Sequence, residues 1–79
     1  MRYRITYAPP ADDTLRKMNG RTEFEAAMAR TIARDSYGHG STAVDADRDR
    51  REVTVATAIV RYVVSGTVLT VTVVRLIAF

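Results

Sequence analysis

At 79 residues, with 47% apolar and 8% aromatic side chains, the chain holds enough hydrophobic material for one small core and no second domain. The absence of cysteine excludes a disulfide framework, thiolate metal ligands and a thiol nucleophile, and a single histidine excludes a multi-histidine metal centre. The net charge is +3 and eleven of the twelve basic residues are arginine, whose planar fork suits phosphate or carboxylate; this permits nucleic acid or an acidic protein as partner and selects neither.

The chain starts Met1-Arg2-Tyr3-Arg4-Ile5, without the apolar core and cleavage site of a signal peptide. The one long apolar stretch is broken by Arg61, Ser65-Gly66 and Arg75 before it reaches the roughly 18 residues of a membrane span. A soluble, cytoplasmic, single-domain protein covering residues 1–79 with no membrane association is expected.

Residues 2–7 alternate, with Tyr3, Ile5 and Tyr7 on one face and Arg2, Arg4 and Thr6 on the other, which predicts a half-buried strand. Pro9-Pro10 ends it, and Pro10 fits the first position of a helix because its missing N–H would have no partner there. Asp12 and Asp13 then suit the first turn, Leu15 and Met18 give an apolar stripe, and Asn19-Gly20 supply a stop. Thr22-Glu23-Phe24-Glu25 has the spacing of a capping box, with Thr22 as N-cap. In the helix it opens, Phe24, Ala27, Met28, Thr31 and Ile32 share one face, with Glu23, Arg30 and Arg34 opposite. So short a link makes the two helices a hairpin.

Residues 35–49 lose periodicity, through Ser36-Tyr37-Gly38-His39-Gly40-Ser41-Thr42 and Asp45-Ala46-Asp47, and read as one long loop in which Tyr37 packs inward. From Val53 onward, sixteen of twenty-seven residues are Val, Ile or Thr, a composition that packs on a pleated surface and resists helix. Three strands are expected at 50–55, 58–64 and 67–76, with turns at Ala56-Thr57 and Ser65-Gly66. The order β-α-α-β-β-β describes an α+β fold, a helical hairpin on one face of a mainly antiparallel four-stranded sheet.

With Ser65-Gly66 as a two-residue hairpin loop, Val64 faces Thr67, Tyr62 faces Leu69 and Val60 faces Val71. Ala58, Val60, Tyr62, Val64, Leu69, Val71 and Val73 then form the core face. Ile59, Arg61, Val63, Val68, Thr70, Thr72 and Val74 point outward, joined by Arg50, Glu52 and Thr54 of the preceding strand. The cluster Arg50, Glu52, Arg61 is either a set of solvated cross-strand pairs or an anion-binding floor with a carboxylate able to take a proton. Arg75 falls on the core parity near a strand end, where its stem can snorkel past the rim. His39 is read as a solvent-exposed loop residue or a general base. The outward Ile59, Val63, Val68 and Val74 make an apolar patch of the kind that marks an interface, including a homodimer.

The strand Arg2-Tyr3-Arg4-Ile5-Thr6-Tyr7, the hairpin entry Pro9-Pro10-Ala11-Asp12-Asp13-Thr14-Leu15-Arg16-Lys17-Met18, the glycine-containing loop after the second helix and the closing meander resemble the RelE/ParE superfamily of type II toxin–antitoxin toxins over nearly the whole chain. Ala58-Ile59-Val60-Arg61-Tyr62-Val63-Val64 is similar to that family's signature third strand. Tyr62 matches its tyrosine, Ile59 stands in the place of its arginine, and Arg61 follows two residues later on the same face, about 6–7 Å along. Arg50 and Glu52 match outward positions where relatives carry basic residues. Beyond the last strand relatives carry basic and aromatic catalytic residues, where this sequence reads Leu76-Ile77-Ala78-Phe79.

The resemblance implies a RelE-like fold and a toxin wrapped and neutralised by a cognate antitoxin. It implies a ribosome-dependent mRNA endoribonuclease that inhibits translation without metal or cofactor, helping a ribose 2′-hydroxyl attack its own phosphate. Arg50, Glu52 and Arg61 are the catalytic candidates; Arg51, His39, Thr70, Thr72 and Arg75 are the substrate-binding ones. The alternatives are a ParE-like, non-enzymatic toxin that binds DNA gyrase, and a degenerate member serving only as a protein-binding module.

Overall fold

The computed structural model describes residues 2–78. Met1 and Phe79, which open and close the predicted terminal segments, lie outside the described residues. The chain runs β1 (Arg4–Tyr7), α1 (Ala11–Lys17), α2 (Arg21–Arg30), β2 (Thr42–Val44), β3 (Asp47–Val55), β4 (Ala58–Ser65) and β5 (Thr70–Ala78). The strands form one sheet ordered β1-β5-β4-β3-β2, in which only β1 and β5 are parallel. The helices cover one face, and the other is open; no described helix is long and apolar enough to cross a membrane.

The sheet has five strands rather than the expected four. The extra one comes from the predicted 35–49 loop: β2 pairs antiparallel with β3 across a two-residue turn, Asp45-Ala46, with both residues at positive φ (55° and 60°). This is the backbone that matches the twist of a tight hairpin, made here without the glycine that usually marks it. β3 accordingly begins at Asp47 and not at residue 50.

The helical hairpin forms, with different ends. Pro10 is the N-cap of α1 and not its first residue. α2 starts a residue before Thr22, after Gly20 at φ 71°, with no side-chain cap. The capping box is therefore not made: the left-handed glycine turns the chain, and Glu25 pairs with Arg21, one turn earlier, at 3.3 Å. Phe24, Met28, Ile32, Leu15 and Ala11 are buried against Val53, Val55, Ala58, Val60, Tyr62, Val64, Val71, Val73 and Leu76. Tyr3, just before β1, and Ile5 and Tyr7 within it pack at the margin of this core.

The last hairpin departs from the expected register. Ser65 pairs with Thr70 and Val64 with Val71, so the loop is the four residues 66–69 and β5 starts at Thr70. Backbone pairing with β1 fixes that start, because the Arg4 amide donates to the Leu69 carbonyl at 2.9 Å. Leu69, expected in the core, sits in the loop at positive φ and is 36% exposed. Further along, Tyr62 pairs with Val73 but Arg61 pairs with Arg75, leaving Val74 without a partner. That extra residue is a β-bulge, and it inverts the alternation: Val73 and Leu76, three apart, are both buried.

Tyr62 links sheet to helices. It is fully buried, and its hydroxyl donates to the carbonyl of Ser36, itself buried, at 2.7 Å. Tyr62→Phe keeps the ring and strands that carbonyl, so urea denaturation should show a loss of about 1–3 kcal/mol; an unchanged midpoint would assign the segment after α2 to apolar packing alone. Burial pushes the Tyr7 phenol up to about 12, with Glu25 adding and Arg21 opposing. The neutral phenol is thus the folded form, so its contribution is complete below the ordinary value near 10 and is lost as pH climbs towards 12. In Tyr7→Phe the fall in urea midpoint over that window should be shallower than in wild type, and superimposable profiles would refute the assignment.

Candidate functional site

Alternation along β3 and β4 turns Arg50, Glu52, Ile59 and Arg61 to the open face, with Val53, Val55, Val60 and Tyr62 buried behind them. Register then sets them side by side: Glu52 pairs with Arg61, and Arg61 with Arg75. Three strands thus contribute one charged row, Glu52-Arg61-Arg75, with side chains on directly opposed residues whose Cβ atoms stand about 5 Å apart. The expectation that Arg75 lies on the core parity is corrected here. The Val74 bulge rotates Arg75 out of the core and onto the open face.

Arg61 donates from both Nε and Nη2 to Oε1 of Glu52, at 3.2 and 2.9 Å. Both side chains are about two-fifths exposed, so the pair is solvated and weak. Among the described residues Arg75 has no carboxylate partner; the ion pairs there involve Arg16, Lys17, Arg21 and Arg61. Ile59 and Ile77 complete a concavity of about 260 Å3 lined by Glu52, Arg61 and Arg75. Its content is two cations, one carboxylate and two apolar walls. Such a pocket can hold an anion between guanidinium groups while a carboxylate stands beside it.

The remaining sequence candidates divide. Arg50 lies exposed on the open face, opposite Val63 and one alternation from Glu52. Thr72 shares that face at its β1 end, where Thr6 Oγ1 donates to Thr72 Oγ1 at 3.3 Å; Thr70 is buried there and donates to the Val68 carbonyl. Neither threonine lines the concavity.

Arg51 pairs with Tyr62 and projects with it to the helix side. Its guanidinium donates to Ser41 Oγ and to the carbonyls of Ser41, Arg48 and Tyr37. It stacks 5.4 Å from the Tyr37 ring centre, with Arg48 at 4.2 Å, and Tyr37 Oη donates to Asp49 at 2.7 Å. That hydrogen bond, first, and burial push the Tyr37 phenol up. These contacts clamp the β2–β3 hairpin and leave Arg51 apart from the charged row. His39 sits exposed in the Gly38-His39-Gly40 turn at φ 57°. No hydrogen bond ties it to the row.

A second concavity, about 230 Å3, lies on the helix side along the free edge of β1, lined by Tyr3, Ile5 and Tyr7 on one flank and Glu25, Met28, Ala29 and Ala33 on the other. Because β1 pairs only with β5, its second edge is unpaired by any strand.

No known family model matches the chain, and no curated protein matches it. Among solved structures, the crystal structure of the toxin–antitoxin complex RelBE2 from Mycobacterium tuberculosis contains a chain that matches over 100% of both lengths, with a TM-score of 0.78 and 15% sequence identity. The fold is RelE-like. At that identity the shared property is the arrangement of a helical pair on a mixed sheet.

Two arginines directly opposite on neighbouring strands repel. Arg75→Thr should therefore raise stability by a few tenths of a kcal/mol and Glu52→Ala lower it by a similar amount, both in thermal denaturation at low ionic strength and both shrinking as salt screens the row. A loss of stability in Arg75→Thr would place that guanidinium in a contact of its own.

Proposed function

We propose that this chain is the toxin of a toxin–antitoxin pair and that its open face cleaves messenger RNA on the ribosome. The observation that carries the reading is the row made by the bulge: Arg75 and Arg61 abreast, with Glu52 beside them. Two guanidinium groups at this spacing suit the non-bridging oxygens of one phosphodiester, where negative charge increases as a fifth bond forms to phosphorus. Glu52 stands where it can accept the proton of the ribose 2′-hydroxyl as that oxygen attacks the adjacent phosphorus. The bond to the 5′ oxygen breaks, leaving a 2′,3′-cyclic phosphate on one fragment and a 5′-hydroxyl on the other once the leaving oxygen is protonated. Arg50 and Arg4, also on this face, extend the positive surface along the path of the strand.

The likeness to a chain of a toxin–antitoxin complex supports a cognate antitoxin as partner. The free edge of β1, with apolar and charged residues along the neighbouring groove, suits an extended peptide adding itself as a strand.

Induced expression in bacteria, with primer extension on a reporter message, tests the reading. Wild type should arrest growth and produce new 5′ ends in phase with codons. Arg75→Ala and Arg61→Ala should each lower cleavage by about a hundredfold or more, the usual effect of removing one group that stabilises transition-state charge. Arrest without new ends, together with loss of supercoiling by purified gyrase, would replace this reading with the gyrase-binding one. Expression without arrest would leave a protein-binding module.

A further inference from the structure

The two arginines of the row are not equivalent. Arg75 presents its guanidinium with no carboxylate partner among the described residues, whereas Arg61 has already committed two donors, Nε and Nη2, to one oxygen of Glu52. Those two N–H groups form the side-on edge of the fork, one of the two edges with which arginine grips a phosphate bidentately. A phosphate approaching Arg61 there must take the place of a carboxylate of its own chain. Glu52 Oε2 accepts no hydrogen bond from a described residue, and both side chains reach solvent, so nothing else holds the carboxylate in position.

We propose that Glu52 is an internal counter-anion: it occupies Arg61 in the free protein and is displaced when a phosphate of single-stranded RNA, first captured by Arg75, takes over the guanidinium. This rests on the reading of the open face as the RNA-binding face and adds to it an order of events and a threshold. A solvated surface pair of this kind lowers the availability of Arg61 by about two- to fivefold. Small anions gain too little to overcome that discount and bind mainly at Arg75. A strand bearing several phosphates also engages Arg50 and Arg4, and so recovers it.

The test is equilibrium binding of a 2′-O-methyl RNA octamer, which lacks the attacking hydroxyl and cannot be cut. Fluorescence anisotropy is read across a range of salt for wild type, Glu52→Gln, Arg61→Ala, Arg75→Ala and the Glu52→Gln/Arg61→Ala double variant. Glu52→Gln should bind about two- to fivefold tighter, the same phosphate contacts forming without a carboxylate to displace. Arg75→Ala should bind more weakly, with a shallower slope.

In the Arg61→Ala background the same Glu52→Gln change should produce little gain, because the competition has lost its object. A gain equal in both backgrounds would reduce Glu52 to a general negative charge and overturn the proposal. So would an unchanged or weaker Glu52→Gln, or no binding by any variant. Where Arg61→Ala fails to fold, Arg61→Gln removes the charge while keeping a polar side chain and serves in its place. No ribosome or cleavage enters this measurement. An intact coupling with no messenger cleavage would sink the nuclease reading alone, and cleavage without coupling would sink the counter-anion alone.

Discussion

One unpaired residue, Val74, decides which side of the sheet carries Arg75 and so completes the charged row. Without the bulge, β5 would alternate strictly from Val71, and Arg75 would be driven into a core lined by Val60, Val73 and Tyr62, where an unpaired guanidinium is very costly to bury. With it, Leu76 takes the buried place, Arg75 comes abreast of Arg61, and Ile77 closes the wall of the concavity. Packing and site therefore share one cause. The same backbone step that seats a leucine also sets two like charges side by side, an arrangement the sheet tolerates because both reach water.

The opposite face is organised around Tyr62. Its ring fills the space between the sheet and the helices, and its hydroxyl satisfies a buried carbonyl just past α2, where the chain leaves the helix and has no regular partner. From there the Tyr37, Arg48, Asp49 and Arg51 contacts hold the β2–β3 hairpin. Arg51 and Glu52 are adjacent in sequence and serve opposite faces, one fastening the hairpin and the other balancing the charged row.

The strands and the helical hairpin were legible in the sequence because β-branched runs and a 3.6-residue apolar stripe are local signals. So was the sharing of a face by Arg50, Glu52 and Arg61, which needs only alternation within two strands joined by a short turn. What could not be read depends on contacts distant in sequence. The four-residue loop at 66–69 replaces the tight Ser65-Gly66 turn because β1 holds the Leu69 carbonyl. The bulge is set where core packing asks for a leucine, and no glycine marks it. β2 is hidden in the sequence because Ala46, where a glycine usually marks a tight hairpin, takes positive φ beside Asp45. Thr22 has the spacing of a cap, yet Gly20 begins the helix earlier by making the left-handed turn itself. Alternation alone cannot place Arg75, because one added residue reverses every side chain after it.

The parallel pairing of β1 with β5 joins residues more than sixty positions apart, as in the Thr6–Thr72 contact. Closing so long a loop is entropically demanding and slow, and the helices and the β3–β4 hairpin can assemble long before it. During synthesis β1 therefore waits, its edges unsatisfied, until β5 has emerged. Because β5 also carries Arg75, the charged row and the closed sheet come into being together, when β5 joins β1 and β4. A chain without β5 has neither, so the order of the sheet and the order of the row are one event.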